Sequence, residues 1–183
     1  SKFFEYREAM RSVWKRRDGI IAEFHETQEV YRCTRLAREP ELKVLSRLTG
    51  YRFTCGNQAK LLLDGEATFD ALLHAISEAR EYVLFQVYIL RDDETGRRFQ
   101  AKLIEKAQAG VRVYLLYDAL GSYRLKAAYL AELEDGGVEV ASFEAMRRWR
   151  YPFQLNFRNH RKIAVVDGRV AFVGGLNIGD EYL

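Results

Sequence analysis

The sequence predicts an α/β fold: a parallel or mixed sheet flanked by helices, preceded by an N-terminal helical extension. Three observations carry this. From about residue 67 onward, helical stretches alternate with short apolar runs. The central run, residues 82–90, is almost continuously apolar, as a strand covered by helices requires. Glycines stand where helices must stop, at Gly110 and at Gly136 and Gly137. The resulting β-α-β-α-β order needs helical crossovers, and therefore a parallel or mixed sheet.

In chain order, residues 2–17 place Phe3, Tyr6, Met10, Val13 and Trp14 at helical spacing, ahead of Lys15, Arg16 and Arg17. Such a helix packs on its own domain, or lies with its aromatic and basic side chains against anionic lipid. Residues 20–48 read as mostly helical, with a break near Pro40. Residues 51–55 read as extended, Gly56 and Asn57 as a turn, and 61–63 as a short strand closed by Asp64 and Gly65. A helix over about 67–79 leads into the strand at 82–90. Thr95 is placed to cap a helix running to residue 109. A strand at 111–117, a helix over about 123–134 and a strand at 138–142 follow. Residues 143–156 form an irregular basic-aromatic loop with Trp149, Tyr151, Pro152 and Phe153. Residues 161–166 and 170–173 read as a hairpin around the turn pair Asp167 and Gly168. No internal repeat or low-complexity stretch is visible.

The 183 residues, 48% hydrophobic and 30% charged, fit one globular domain with an appendage and exclude a disordered or fibrous chain. The run at 82–90 is far short of the ~20 residues a membrane span needs, and Gln86 interrupts it. No secretory leader pattern is present in these residues. Cys33 and Cys55 fit no metal spacing and make a poor disulfide framework, so reduced cysteines in a reducing compartment are expected.

Charge is unevenly placed. Residues 51–141 carry 11 basic and 14 acidic side chains, whereas 142–183 carry 7 and 4. Arg147, Arg148, Arg150, Arg158, Arg161 and Lys162 occur with no acid between Glu144 and Asp167. A solvated surface interleaves signs, so such a run points to an anionic partner: phosphate, nucleic acid or a lipid headgroup. A charged loop without a ligand is the plainer account.

The segment from Asn159 to Asp167 carries the chemistry. On a strand, His160 and Lys162 project from the same side, and Ile163 and Val165 take the other face. A neutral imidazole beside a fixed ammonium is what a nucleophile toward a phosphoryl group requires, the ammonium binding the phosphate oxygens. Asn177 can donate an amide hydrogen bond to the same oxygens, and Gly174 and Gly175 let the backbone approach closely. Singly, each residue has a duller account. A lone histidine is more often a surface residue, and Asp167 before Gly168 is what a hairpin turn demands. His25 and His74 stand in helical contexts without partners and receive no role.

Taken together, His160, Lys162, Asp167, Gly174, Gly175 and Asn177 resemble the phospholipase D superfamily motif H-x-K-x4-D-x6-G-[G/S]-x-N, six positions over 18 residues. The double-glycine form, with the runs NFRNHRK at 156–162 and GGLNIGDEY at 174–182, is similar to bacterial cardiolipin synthases. So are Leu48, Thr49 and Gly50, Gly56 and Asn57, the runs LDG at 63–65 and YILRDD at 88–93, Gly96 and Arg97, and LYD at 116–118. The resemblance covers residues 48–183 and implies a phospholipase D-type mixed sheet flanked by helices; residues 1–47 match weakly, as a helical linker would.

The resemblance implies a phosphatidyltransferase that makes cardiolipin from two phosphatidylglycerol molecules through a phosphohistidine. His160, Lys162 and Asp167 would be catalytic, Asn177 and Gly175 would bind phosphate, and Arg150, Arg158 and Arg161 would hold the anionic headgroup. It implies no cofactor and no metal. The expected partners are anionic phospholipid at a membrane surface and a second motif-bearing half, in the same parent chain or a second copy; the location is the bacterial inner membrane. Family members carry two motifs and begin with membrane-spanning helices. The chain has one motif and ends at Leu183, so 48–183 reads as a first half-domain cut just beyond its motif, inactive by itself. The alternative is a single-motif phosphodiesterase or nuclease that completes its site as a homodimer. The double glycine and upstream matches weigh against nucleic acid.

Overall fold

The computed structural model describes residues 31–33, 39–51, 53–143 and 159–183. The expected helix at 2–17, most of 20–38 and the basic-aromatic loop at 144–156 lie outside the described residues. The chain divides into two compact units, 1–61 and 62–183, against the 1–47 and 48–183 read from the sequence.

In the first unit, helix α1 (Pro40–Thr49) begins on Pro40, whose fixed φ and missing N–H suit a first helical position. It ends at Gly50 in the left-handed region (φ 73°). Arg32 and Thr54 form an antiparallel bridge, with the Cys33 N–H donating to Phe53 O and the Cys55 N–H to Tyr31 O, each at 2.9 Å. This pairing sets Cys33 and Cys55 with Cα atoms 4.9 Å apart, and they form a disulfide. The expectation of reduced cysteines is therefore corrected. A spacing of 22 residues does not reveal which strands face each other, and the bridge supplies that. Closing such a loop in the unfolded chain stabilises by about 3 kcal/mol in the chain-entropy account.

The second unit runs α2 (Gly65–Ser77), β1 (Tyr82–Val87), α3 (Glu94–Gln108), β2 (Arg112–Asp118), α4 (Ala127–Asp135), β3 (Glu139–Phe143), β4 (Ile163–Val166) and β5 (Val170–Val173). A single 3-10 turn, Asp180–Tyr182, follows. The five strands form one mixed sheet in the order β3-β2-β1-β4-β5. β1, β2 and β3 are parallel, joined by helical crossovers, and β4 and β5 are antiparallel to their neighbours. The α/β mixed sheet expected from the sequence is the fold observed.

One local expectation fails at 61–63. Leu61 and Leu63 are strongly exposed and form no strand. Asp64 instead caps α2, its Oδ1 accepting the Ala67 N–H at 2.9 Å, and Gly65 is the first helical residue. The cap of α3 is likewise Asp93, whose Oδ1 accepts the Gly96 N–H at 2.9 Å, and not Thr95, which lies inside the helix. Helix α4 starts at Ala127, later than its periodicity implied, because residues 119–122 are held in a loop described below. Gly110 and Gly137, each at φ 89°, end their helices as expected.

One face of the sheet carries the core. Val83, Phe85 and Val87 alternate inward on β1, in register with Val113 and Leu115 of β2 and with Ala164 and Val166 of β4. Phe69 and Leu72 of α2, Phe99 and Leu103 of α3, and Tyr129 and Leu133 of α4 complete the cluster. Phe99 stands between two aromatic neighbours, edge-on to Phe69 at 5.6 Å and stacked with Phe85 at 5.8 Å. The other face of β1 is less covered than its apolar run implied, since Leu84 is exposed. Gly96 is fixed by space: a Cβ there would lie 1.8 Å from Arg91 O, a backbone atom that cannot rotate aside. Gly96→Ala is expected to lower stability by about 1–3 kcal/mol, read as a fall in the urea midpoint with the slope unchanged.

Candidate active site

β4 runs antiparallel to β1, so the residues leading into β4 lie beside the C-terminal end of β1, and one strand further on beside the end of β2. Ligands in sheets of this kind bind at the carboxyl ends of the parallel strands. Here those ends bring together Tyr88, Asp118, His160 and Lys162.

His160 is exposed, and its ring stacks on that of Tyr88, with centroids 3.8 Å apart and planes at 28°. Lys162 Nζ stands over the same ring, 5.1 Å from its centroid, and donates to the His160 carbonyl at 2.8 Å. Partial burial lowers the Lys162 pKa below the ordinary lysine value, since leaving water penalises the ammonium. The sequence reading placed the two side chains together by strand alternation. That reason is corrected: β4 begins only at Ile163, and the shared Tyr88 ring unites the pair.

Asp118, the last residue of β2, is buried at 2% exposure. Its Oδ1 accepts the N–H groups of Leu120 (3.0 Å) and Gly121 (2.8 Å), and its Oδ2 accepts the Asn159 N–H at 3.2 Å. One carboxylate therefore folds the loop after β2 and tethers the residue preceding His160. Ser122 continues the clamp, its Oγ accepting the Leu90 N–H at 3.0 Å and donating to Tyr88 O at 3.3 Å. Sequence reasoning gave neither Tyr88 nor Asp118 a role. The runs YILRDD and LYD contained them, but only the antiparallel return of β4 shows what they face.

Asn177 is buried beside the same end of β1. Its Oδ1 accepts the Ile89 N–H at 3.0 Å and its Nδ2 donates to the Tyr182 hydroxyl at 2.9 Å. Ile178 bridges to Leu90 in parallel, and the Gly174 N–H donates to Lys162 O at 3.3 Å. Gly175 is exposed, with open space where a Cβ would lie. Arg161 is exposed next to His160, while Arg150 and Arg158 lie outside the described residues.

Asp167 stands elsewhere. It follows β4 where Lys162 precedes it, so at roughly 3.3 Å per residue the two are about 16 Å apart along the strand. Its carboxylate accepts three N–H groups at the start of β1: Arg80 at 2.8 Å on Oδ2, and Glu81 (2.9 Å) and Tyr82 (2.8 Å) on Oδ1. It also occupies the hairpin turn with φ 51°, followed by Gly168 at 64°. The Tyr82 hydrogen bond foremost, with those of Arg80 and Glu81, holds its pKa below the usual aspartate value. A depressed carboxylate adds stability above its unfolded pKa of about 4 and loses it as pH falls through the folded value. Asp167→Asn tolerates the turn but sets an amide N–H2 against a backbone donor. It is expected to cost about 1–2 kcal/mol at neutral pH, the low end for charge-assisted bonds because the site faces solvent. The cost should shrink below about pH 4, checked by urea unfolding across pH.

Among the described residues, no helix is long and apolar enough to cross a membrane, and no group of three His, Cys, Asp or Glu side chains is placed to hold a metal ion.

A mixed α/β sheet with the H-x-K pair at the carboxyl end of its parallel strands, Asp167 in the turn after β4, and Gly174, Gly175 and Asn177 after β5 defines a phospholipase D-type domain. The family described as cardiolipin synthase, PLD-like domain matches residues 72–183. The chain belongs to that family. It is 50% identical over 151 residues to cardiolipin synthase A of Pseudomonas putida strain GB-1, covering 80% of this chain and 32% of that protein. It is 49% identical over 142 residues to cardiolipin synthase A of Pseudomonas fluorescens strain Pf-5, covering 78% and 30%. The chain thus spans about a third of the length of the curated relatives it matches. Among solved structures, NucT from Helicobacter pylori is similar with a TM-score of 0.50 at 20% identity, over 64% of this chain and 70% of that one. The phospholipase D family member Nuc from Salmonella typhimurium gives 0.47 at 18%, over 62% and 66%. At 20% identity the likeness to NucT is one of fold.

Proposed function

We propose that the protein is a phosphatidyltransferase that forms cardiolipin from two phosphatidylglycerol molecules, and that the described site supplies one of two motif halves. The observation that carries this is His160 and Lys162 meeting on one ring, within a segment about 50% identical to proteins named cardiolipin synthase A.

In the first step an imidazole nitrogen, that of His160 or of its counterpart in the opposing half, attacks the phosphorus of one phosphatidylglycerol. The N–P bond forms as the P–O bond to the head glycerol breaks, and the opposing histidine gives that glycerol its proton. The same histidine then takes the proton from a hydroxyl of the second phosphatidylglycerol. That oxygen attacks phosphorus, the N–P bond breaks, and cardiolipin leaves. The Lys162 ammonium carries the phosphate charge, and Asn177 offers the amide hydrogen not given to Tyr182. Gly174 and Gly175 leave room beside Lys162 for the phosphate. Arg150, Arg158 and Arg161 attract the anionic headgroup. Asp167 acts as an anchor that fixes the far end of β4 to β1, and so positions the pair rather than touching substrate. The enzyme would work at the bacterial inner membrane, where its lipid substrate resides.

The full-length protein, supplied only with phosphatidylglycerol vesicles, is expected to release glycerol and cardiolipin in equal amounts. Phosphatidic acid without cardiolipin, or cleavage of nucleic acid by a dimer of this chain, would show hydrolytic phosphodiesterase chemistry instead. Lys162→Met should lower kcat on the order of a hundredfold, as loss of one charge-stabilising donor does. A steady-state assay with mixed vesicles checks this.

A further inference from the structure

We propose that Tyr88 is a positioning residue of the transfer site, its ring setting the mutual orientation of the His160 imidazole and the Lys162 ammonium. The inference rests on the reading above that these two groups act together on phosphate.

Three observations carry it. First, both groups meet one ring: His160 stacks on it at 3.8 Å and Lys162 Nζ lies 5.1 Å from its centroid. Stacking favours one orientation of the imidazole, and the electron-rich face attracts the ammonium, so the ring acts on both at once. Second, neither His160 nor Lys162 lies in β4, so the sheet ladder alone does not fix them. The backbone tether at Asn159 and the Lys162 bond to the His160 carbonyl fix the chain, not the imidazole plane. Third, the ring itself is fixed. Tyr88 is 9% exposed, and a Cβ on Gly121 would lie 2.9 and 3.0 Å from two of its ring carbons, so only hydrogen fits there. Ser122 Oγ donates to Tyr88 O, while Asn177 Oδ1 accepts the Ile89 N–H. Residues 88 and 89 are thus pinned from both the β2 loop and the motif's asparagine. An exposed imidazole with free side-chain torsions would spend little time in an attacking geometry; a fixed stacking surface removes that loss.

The test has two arms. In the 183-residue chain, NMR resonances of the His160 ring, identified by their loss in His160→Ala, are expected upfield of those of exposed His74. Tyr88→Phe should keep that shift and Tyr88→Leu should abolish it. In the full-length protein, Tyr88→Leu should lower kcat by on the order of tenfold to a hundredfold with KM little changed, and Tyr88→Phe, which keeps the ring, should recover most of what Tyr88→Leu loses. An unshifted His160 in the wild-type chain overturns the proposal, as does a shift that persists in Tyr88→Leu, or full turnover in Tyr88→Leu. Should Tyr88→Leu fail to fold, the wild-type shift and Tyr88→Phe decide the matter. The shift is read without substrate, so a wrong assignment of the transfer reaction leaves it intact and is seen separately.

Discussion

His160→Ala in the full-length protein is expected to lower cardiolipin formation from phosphatidylglycerol by a factor on the order of 10⁴ or more, leaving the fold intact. The size follows from the chemistry. Removing one member of a nucleophile and general-acid pair removes either covalent transfer or proton delivery, and such losses reach that order because the pair acts as a unit. The prediction holds whichever histidine is the nucleophile. If His160 attacks, no intermediate forms; if it is the acid, glycerol leaves without a proton. Stability should hardly change, because His160 is exposed and its side-chain contact is the face of Tyr88. Unfolding curves that superimpose, beside a lost product spot on thin-layer chromatography, are the expected pair of results.

Asp118→Ala is expected to act on both stability and turnover. Its buried carboxylate accepts three backbone N–H groups, from Leu120, Gly121 and Asn159. Alanine leaves three donors without their acceptor at a site where water has little access. Hydrogen bonds to a charged group contribute about 1.5–3 kcal/mol each and do not simply add, so a loss of about 3–4 kcal/mol is expected. For a chain of this size that lowers Tm by about 6–16 °C. Calorimetry of the 183-residue chain checks it. The loop at 119–122 and the residue before His160 would lose their common anchor together. Turnover in the full-length protein should therefore fall at least tenfold even below the new Tm, since small misplacements of reacting groups cost that much. Asp118→Asn, which keeps one acceptor oxygen, should fall between the two.

The helices and strands of the sheet, and the motif itself, were legible because they are local. Short, nearly continuous apolar runs mark β1 and β2, glycine ends the helices at Gly110 and Gly137, and six motif residues lie within 18 positions. What escaped the sequence depends on which segments meet. Cys33 and Cys55 pair because residues 32 and 54 bridge, and nothing in a spacing of 22 states that. Asp64 and Asp93 were passed over as caps because several residues before each helix could serve, and only the backbone geometry chooses. Asp167 shows the same limit. The sequence offers it two readings, a motif carboxylate and a hairpin-turn residue, and does not state that its carboxylate binds the start of β1, at the other end of β4 from His160 and Lys162. Tyr88 and Asp118 lie 72 and 41 residues from their partners and become visible only once β4 returns antiparallel to β1.

The central claim is that phosphatidyl groups pass through a histidine of this site. Mixing the full-length protein with phosphatidylglycerol, quenching in alkali where a phosphorus–nitrogen bond survives, and analysing the peptides by mass spectrometry tests it most directly. The expected result is a phosphorus-bearing adduct on an imidazole of an H-x-K motif in the wild type, with neither adduct nor cardiolipin from His160→Ala. Undiminished adduct and cardiolipin from His160→Ala, or an adduct confined to some other kind of side chain, would contradict the account.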